Sequence, residues 1–257
     1  MFDPKIIVEP LAALLGIFTA DDSSPPAPTG VDAWDPACQP RTLSQLSSVA
    51  DRAAIADLAR LDPVANAVLN SHGPSLDIAM QPFADVSTAG FTRRSSTAGK
   101  TFDVRLNHNR LTPSHFDTAL TFIHELAHVE RIVDLGFTPA ELVTAIDDVR
   151  DYVALVWQFE YSAFEAMLNG AVSIHATDTA RFAECWHISV ANDAILAALH
   201  AGNTQLARSE IKVVYPETEQ RQYWNDHHGD TPLPQAAPLW LAYYGLGQAD
   251  DPSLWGL

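Results

Sequence analysis

The sequence predicts an α+β fold in which helices come first, a small sheet follows, and helices return for the rest of the chain. Three observations predict it. Apolar residues recur at helical spacing between residues 42 and 70. Three short strand-like pieces lie between residues 76 and 107. From residue 112 the pattern is helical nearly to the end. The two kinds of element are grouped rather than alternating, which argues against a doubly wound parallel sheet. With 257 residues, 47% of them apolar, the chain has material for one sizeable core.

Residues 1–41 read as an N-terminal segment and a linker, and residues 42–257 as a single domain. Lys5 precedes an apolar run, but Asp3, Glu9 and Pro10 break the pattern of a cleaved leader, so a packed N-terminal element is expected. Residues 21–41 are rich in Asp, Ser and Pro and read as a loop. The helical stretch 42–70 divides at Asp62-Pro63, because proline disfavours helical backbone in the residue before it. Ser71-His72-Gly73-Pro74 reads as a turn, and strands are expected at 76–79, 89–95 and 101–107. In the last, Phe102, Val104 and Leu106 alternate with Asp103, Arg105 and Asn107, the mark of a half-buried strand. Residues 96–101 lack the leading glycine of a phosphate loop and read as a hairpin turn.

Thr112-Pro113 opens a helix that runs to about Leu135 and is closed by Gly136. Thr138-Pro139-Ala140-Glu141 is a capping box with proline at the first helical position. It is expected to open a long helix that Asn169-Gly170 ends. A further helix is expected over 178–200, closed by Gly202. From Tyr215 the chain is aromatic and proline-rich, and reads as irregular.

Charge excludes some partners. Lys and Arg number 15 against 32 Asp and Glu, a net charge of −17. Up to Arg110 there are 9 bases and 12 acids, or −3; beyond it 6 and 20, or −14. Such a field opposes bulk binding of nucleic acid or anionic lipid. No run of apolar residues is long enough for a membrane-spanning helix. The chain is therefore expected to be cytoplasmic, or exported by a route independent of a signal peptide. Cys38 and Cys185 have no metal-ligand spacing and form either one long-range bridge or two buried thiols. Arg93, Arg94 and Arg105 lie on the strands before the helix opened by Thr112. They either favour acidic residues in a substrate or balance acids from the helical half.

That helix contains His124-Glu125-Leu126-Ala127-His128, an H-E-x-x-H motif. A helix advances about 100° per residue, so His124 and His128 lie about 40° apart on one face and can converge on one ion. Glu125 is turned away by about 100° and is placed to act on a water instead. Zinc lowers the pKa of a coordinated water toward about 7, and Glu125 would take its proton as the water attacks a carbonyl. In random order, a chain of this composition would contain the pattern about 0.015 times. The bland alternative is a pair of histidines on the polar side of an amphipathic helix whose apolar stripe is Ala119, Phe122, Ile123, Leu126, Val129, Ile132 and Val133.

A catalytic zinc needs a third protein ligand. Asp134, six residues beyond His128, would require a sharp turn near Arg131, where the sequence reads as continuing helix. Glu160 lies 32 residues beyond His128, enough for a loop and an antiparallel return. Val153, Val156 and Trp157 before it and Ala163, Phe164 and Met167 after it place it in the inward-facing stripe. A carboxylate buried there costs several kcal/mol unless paired or bound to a metal, and no Arg or Lys occurs from 151 to 180 to pair it. Glu165 has more polar neighbours and is expected to face water. Tyr161, His187, Tyr215, Tyr223, His227 and His228 are unranked candidates for steadying an oxyanion. For His187 a packed core position is expected, and for His227 and His228 a solvated turn.

His124, Glu125 and His128 followed by Glu160-Tyr161-Ser162-Ala163 resemble the zincin metallopeptidases. Within these they are similar to the gluzincin arrangement, whose third ligand is a glutamate in a Glu-x-x-Ala-type segment on a following helix. The resemblance covers roughly residues 76–170 and departs from the family at Glu130, where an apolar residue is usual. It extends to small bacterial zincins, some of them secreted toxins or effectors. It implies a small sheet before the active-site helix, an edge strand that pairs with extended substrate, and a mostly helical part beyond. It also implies a Zn²⁺ cofactor held by His124, His128 and Glu160, with Glu125 as general base and a protein or peptide as substrate. Two alternatives use the same residues. One is a non-catalytic acidic binding protein on this scaffold, and the other a zinc hydrolase acting on a non-protein amide.

Overall fold

Side-chain caps set most of the helix starts. Ser48 accepts a hydrogen bond from the Asp51 amide and opens α1 (Val49–Ala59). Asp62 accepts from the Ala65 amide, with Pro63 at the first position, and opens α2 (Pro63–His72). The structure, a computed structural model, describes residues 35, 37–41, 46–84, 88–110, 113–136, 138–143, 146–228 and 252–257. The leader-like residues 1–20, most of the 21–41 linker, Thr112 and the tail 229–251 lie outside the described residues. The class is α+β and mostly helical, in the expected order of helices, sheet and helices.

The sheet has three strands, β1 (Leu76–Gln81), β2 (Gly90–Arg94) and β3 (Phe102–Asn107), in the order β1-β3-β2. β3 lies in the middle, parallel to β1 and antiparallel to β2, with Ile78 opposite Val104 and Thr92 opposite Val104 on the other side. The central place of β3 corrects the half-buried expectation, because all six of its residues are buried. Its polar face is covered by ion pairs rather than water. Asp103 lies 3.0 Å from Arg93, and Arg105 lies 2.7 Å from Asp77 and 3.4 Å from Asp103. Asn107 donates to the Thr88 carbonyl and accepts from the Phe83 amide. Arg94 pairs with Glu141 at 3.1 Å. Of the two readings of these arginines, pairing within the fold is what the structure shows, for Arg93 and Arg105 with acids of the sheet and for Arg94 with Glu141 of the helical half.

The motif helix is α3 (His115–Leu135), capped by Ser114 and closed by Gly136 at φ 79°. It has no water-facing side through most of its length. Between Pro113 and Val129 every residue but Asp117 and Ala127 is buried. The capping box also forms, with Thr138 and Glu141 hydrogen bonding reciprocally. However, it opens only the one-turn α4 (Pro139–Leu142). The long helix α5 (Val149–Thr177) starts afresh at Asp148, whose carboxylate accepts from the Arg150 amide. Nor do Asn169 and Gly170 end it. Gly170 is a contact glycine, since a Cβ there would sit 2.4 Å from Ile123 Cδ1 on α3. The two helices cross too closely for any side chain at that point.

Beyond α5 lie α6 (Thr179–Trp186), a π turn over His187–Ala191, α7 (Ala194–His200), α8 (Thr204–Val214), α9 (Glu217–His227) and a 3₁₀ turn over Pro252–Trp255. The helix expected over 178–200 is therefore divided, because Asp193 caps a new start at the Leu196 amide. The segment after Tyr215, expected to be irregular, contains α9. Cys38 and Cys185 form a disulfide, with both residues buried. A 2.5 Å Arg181–Asp35 ion pair lies beside it, and the Phe116 amide at the head of α3 donates to the Ala37 carbonyl. A crosslink over 147 residues is worth about 5 kcal/mol by chain entropy.

Gly170→Ala is expected to destabilise the protein by about 1–3 kcal/mol through overpacking, despite the better helix propensity of alanine. Ile123→Val removes the methyl in the way and should restore more than half of that loss in the double variant. A denaturation cycle of the four proteins measures the coupling; additive effects would mean that the crossing is not set at this pair.

Candidate metal centre

The two histidines of α3 reach the same point because they lie one turn apart, and their rings are fixed by packing. His124 meets Phe164 edge-on at 4.9 Å, and His128 stacks on Phe159 at 5.8 Å. Both aromatic partners come from α5, flanking Glu160. The Nε2 atoms of His124 and His128 are 3.1 Å apart, and Glu160 Oε2 lies 3.3 Å from the first and 3.6 Å from the second. Three donors each about 2.0–2.1 Å from one tetrahedral ion would be about 3.3–3.4 Å apart. The observed triangle fits that size. All three residues are buried, and among the described residues they form the one cluster of His, Cys, Asp or Glu able to hold a metal.

The rival ligands are elsewhere. Asp134 is exposed near the end of an unbroken α3, and Glu165 is exposed on α5. Among the described residues, the polar partners of Glu160 are the two imidazoles and a tyrosine, with no arginine or lysine. Burial raises the Glu160 carboxyl, but His128 and the hydrogen bonds from both histidines outweigh it and hold the pKa down to about 2. Burial lowers His124, aided by the charge of His128. For His128 the Glu160 charge overcomes the same burial and leaves it raised.

Glu125 points to the sheet side of the cluster. Thr92 on β2 donates to its Oε2 at 2.8 Å. Its Oε1 is buried with no hydrogen-bond partner. A Cβ on Gly90 would come within 2.8 Å of that oxygen, so glycine is what leaves room for the carboxylate. Burial, only partly offset by His128 and Thr92, pushes the Glu125 pKa up to about 7. A carboxylate tuned near neutrality can both take and return a proton.

Compared with known protein families, with curated proteins and with solved structures, the chain matches none. The site is therefore read from its own geometry. That geometry ranks the six oxyanion candidates. Tyr215 alone touches the cluster, its hydroxyl donating to Glu160 Oε2 at 2.7 Å. Tyr161 packs against Trp255, and Tyr223 stacks on Tyr152. His227 and His228, expected to be solvated, stack on Tyr223 and Trp224 and bond the carbonyls of Tyr223 and Val143. His187, expected in the core, is exposed on the π turn. Thr92 and Gly90 were not legible as site residues. Tyr215 carried a signal, since it continues the buried stripe Ala207, Ile211 and Val214 of α8, and a buried tyrosine hydroxyl needs a partner.

Elemental analysis of the purified protein is expected to find about one equivalent of a divalent metal. Alanine at His124, His128 or Glu160 should reduce it to trace levels, and alanine at Asp134 or Glu165 should leave it in place. Equal metal content in all six proteins would refute the cluster as a ligand set.

Proposed function

We propose that this protein is a zinc-dependent metallopeptidase. The observation that carries the reading is the pairing of a metal-sized His124–His128–Glu160 triangle with a fourth residue, Glu125, whose buried Oε1 is left without a partner. Two neutral nitrogens and one carboxylate are a donor set suited to zinc. When bound, zinc supplies Lewis acidity that polarises a carbonyl and acidifies water. The chain's own residues do the rest. Glu125 accepts the proton of the attacking water and returns it to the leaving amine. Thr92 holds the other carboxylate oxygen, Oε2, by a 2.8 Å hydrogen bond. β2, the outer strand beside Glu125, has no strand partner beyond β3 among the described residues, which suits an extended peptide.

A hydrolase acting on a non-protein amide would use the same four residues and is separated only by substrate. The low exposure of the cluster, with the His128 side chain about 10% accessible and Glu125 fully buried, favours a second reading, a structural metal in a binding protein. Among the described residues no helix is long and apolar enough to cross a membrane. The disulfide supports a place of action outside a reducing compartment.

Glu125→Gln separates hydrolysis from metal holding. It should keep its zinc and melt within a few degrees of the wild type, while cleavage of casein or a quenched peptide library falls at least about 100-fold. Undiminished cleavage would place the base elsewhere. Zinc-loaded wild type with no activity on peptides or amides would favour the binding protein.

A further inference from the structure

We infer that Tyr215 is a positioning residue of the metal centre, orienting the Glu160 carboxylate so that it completes the three-donor cluster. The inference rests on reading His124, His128 and Glu160 as metal ligands. Glu160 reaches the cluster through a terminal torsion that is broad and soft, so nothing in its own geometry fixes which oxygen faces the histidines. The Tyr215 hydroxyl does. It donates at 2.7 Å to Oε2, the same oxygen that lies 3.3 and 3.6 Å from the two imidazole nitrogens.

Tyr215 is itself held at both ends. It follows the last residue of α8 and precedes Pro216, where the backbone leaves the helix at φ −115°, ψ 75°. Its carbonyl accepts from Trp157 Nε1 at 2.7 Å. Trp157 lies on α5 three residues before Glu160, on the same helix as the ligand. The result is a closed loop running from the carboxylate to the phenol, along the Tyr215 backbone to the indole, and back down one turn of helix. Trp255 of the C-terminal 3₁₀ turn packs on Trp157 at 5.5 Å, and Lys212 Nζ lies 5.2 Å from the Trp157 ring. Tyr215 and Trp157 are both buried. A neutral donor in this place adds no charge, so it can hold the carboxylate without competing with a cation for it. The ligand His124 has no such support. Its Nδ1 is buried with no partner and its ring rests on Phe164. Between His124 and Glu160, the orienting hydrogen bond is thus on the carboxylate.

The test is Tyr215→Phe in the full chain, which keeps the ring and removes the donor. Zinc affinity, measured by competition with a chromophoric chelator at fixed pH, should fall about 10–100-fold, the usual effect of losing such a partner. The rise in melting temperature that zinc confers should shrink. The visible bands of the cobalt(II)-substituted protein should change, because the freed carboxylate can bind through both oxygens. A tyrosine that only supports the fold would lower the melting temperature of the apo and zinc-loaded forms equally and leave zinc affinity and the cobalt spectrum as in the wild type; that result overturns the inference. If Tyr215→Phe does not fold, Trp157→Phe serves. It frees the Tyr215 backbone while retaining the phenol, and should weaken zinc binding by a smaller factor, with unchanged affinity again overturning the inference. Failure of the wild type to bind zinc or cobalt would instead refute the metal centre itself, and Tyr215 with it.

Discussion

Glu160 brings a carboxylate into the interior of a mostly helical protein with no lysine or arginine beside it among the described residues. Left alone, such a charge would cost the fold several kcal/mol. Two imidazoles and one phenol offset it, and each must be delivered by a different part of the chain or a different turn of helix. Much of the architecture follows from that requirement. α3 and α5 cross where Gly170 gives up its side chain to Ile123. α5 continues past the point where its sequence could have stopped. α8 ends where Tyr215 can turn inward and α9 can restart at Glu217.

The parts legible in the sequence are those set by spacing along one element. The i, i+4 histidines and the inward stripe around Glu160 follow from helical periodicity alone, and both stand in the structure as read. Local caps were legible too, but a cap fixes where a helix begins and not how far it runs. Thr138 and Glu141 form their box and then open a single turn. Asp193 inside the 178–200 stretch was an unrecognised second start. What periodicity cannot supply is contact between elements. Gly170 reads as a helix stop until Ile123 is seen against it. Phe102 to Asn107 reads as half-buried until Arg93 and Asp77 are seen covering the polar side. Thr92 and Gly90 gave no sign of a role, because their role exists only where β2 meets Glu125.

The acidic surplus also divides by position. Arginines near the sheet are committed to Asp77, Asp103 and Glu141, and Arg110 to Asp117 at 3.0 Å. The carboxylates that carry most of the −17 lie beyond Arg110, in the helical part. Buried acids that do not pair, such as Asp62 and Asp193, cap helices instead. Charge in this chain is therefore resolved locally, by caps and short ion pairs, and the long-range field is left to the surface.

The disulfide gives the chain a covalent topology that follows its chemistry. Cys38 and Cys185 close a ring of backbone that contains both histidines, Glu125, Glu160 and the whole sheet. Tyr215, α9 and Trp255 hang outside it. A single break anywhere inside the ring leaves the fragments joined, with all four residues on one covalent body. A break just after Cys185 leaves the segment that carries Tyr215 joined to the rest by packing alone. The molecule is thus divided into a part that one nick leaves covalently whole and a part that depends on packing for its place.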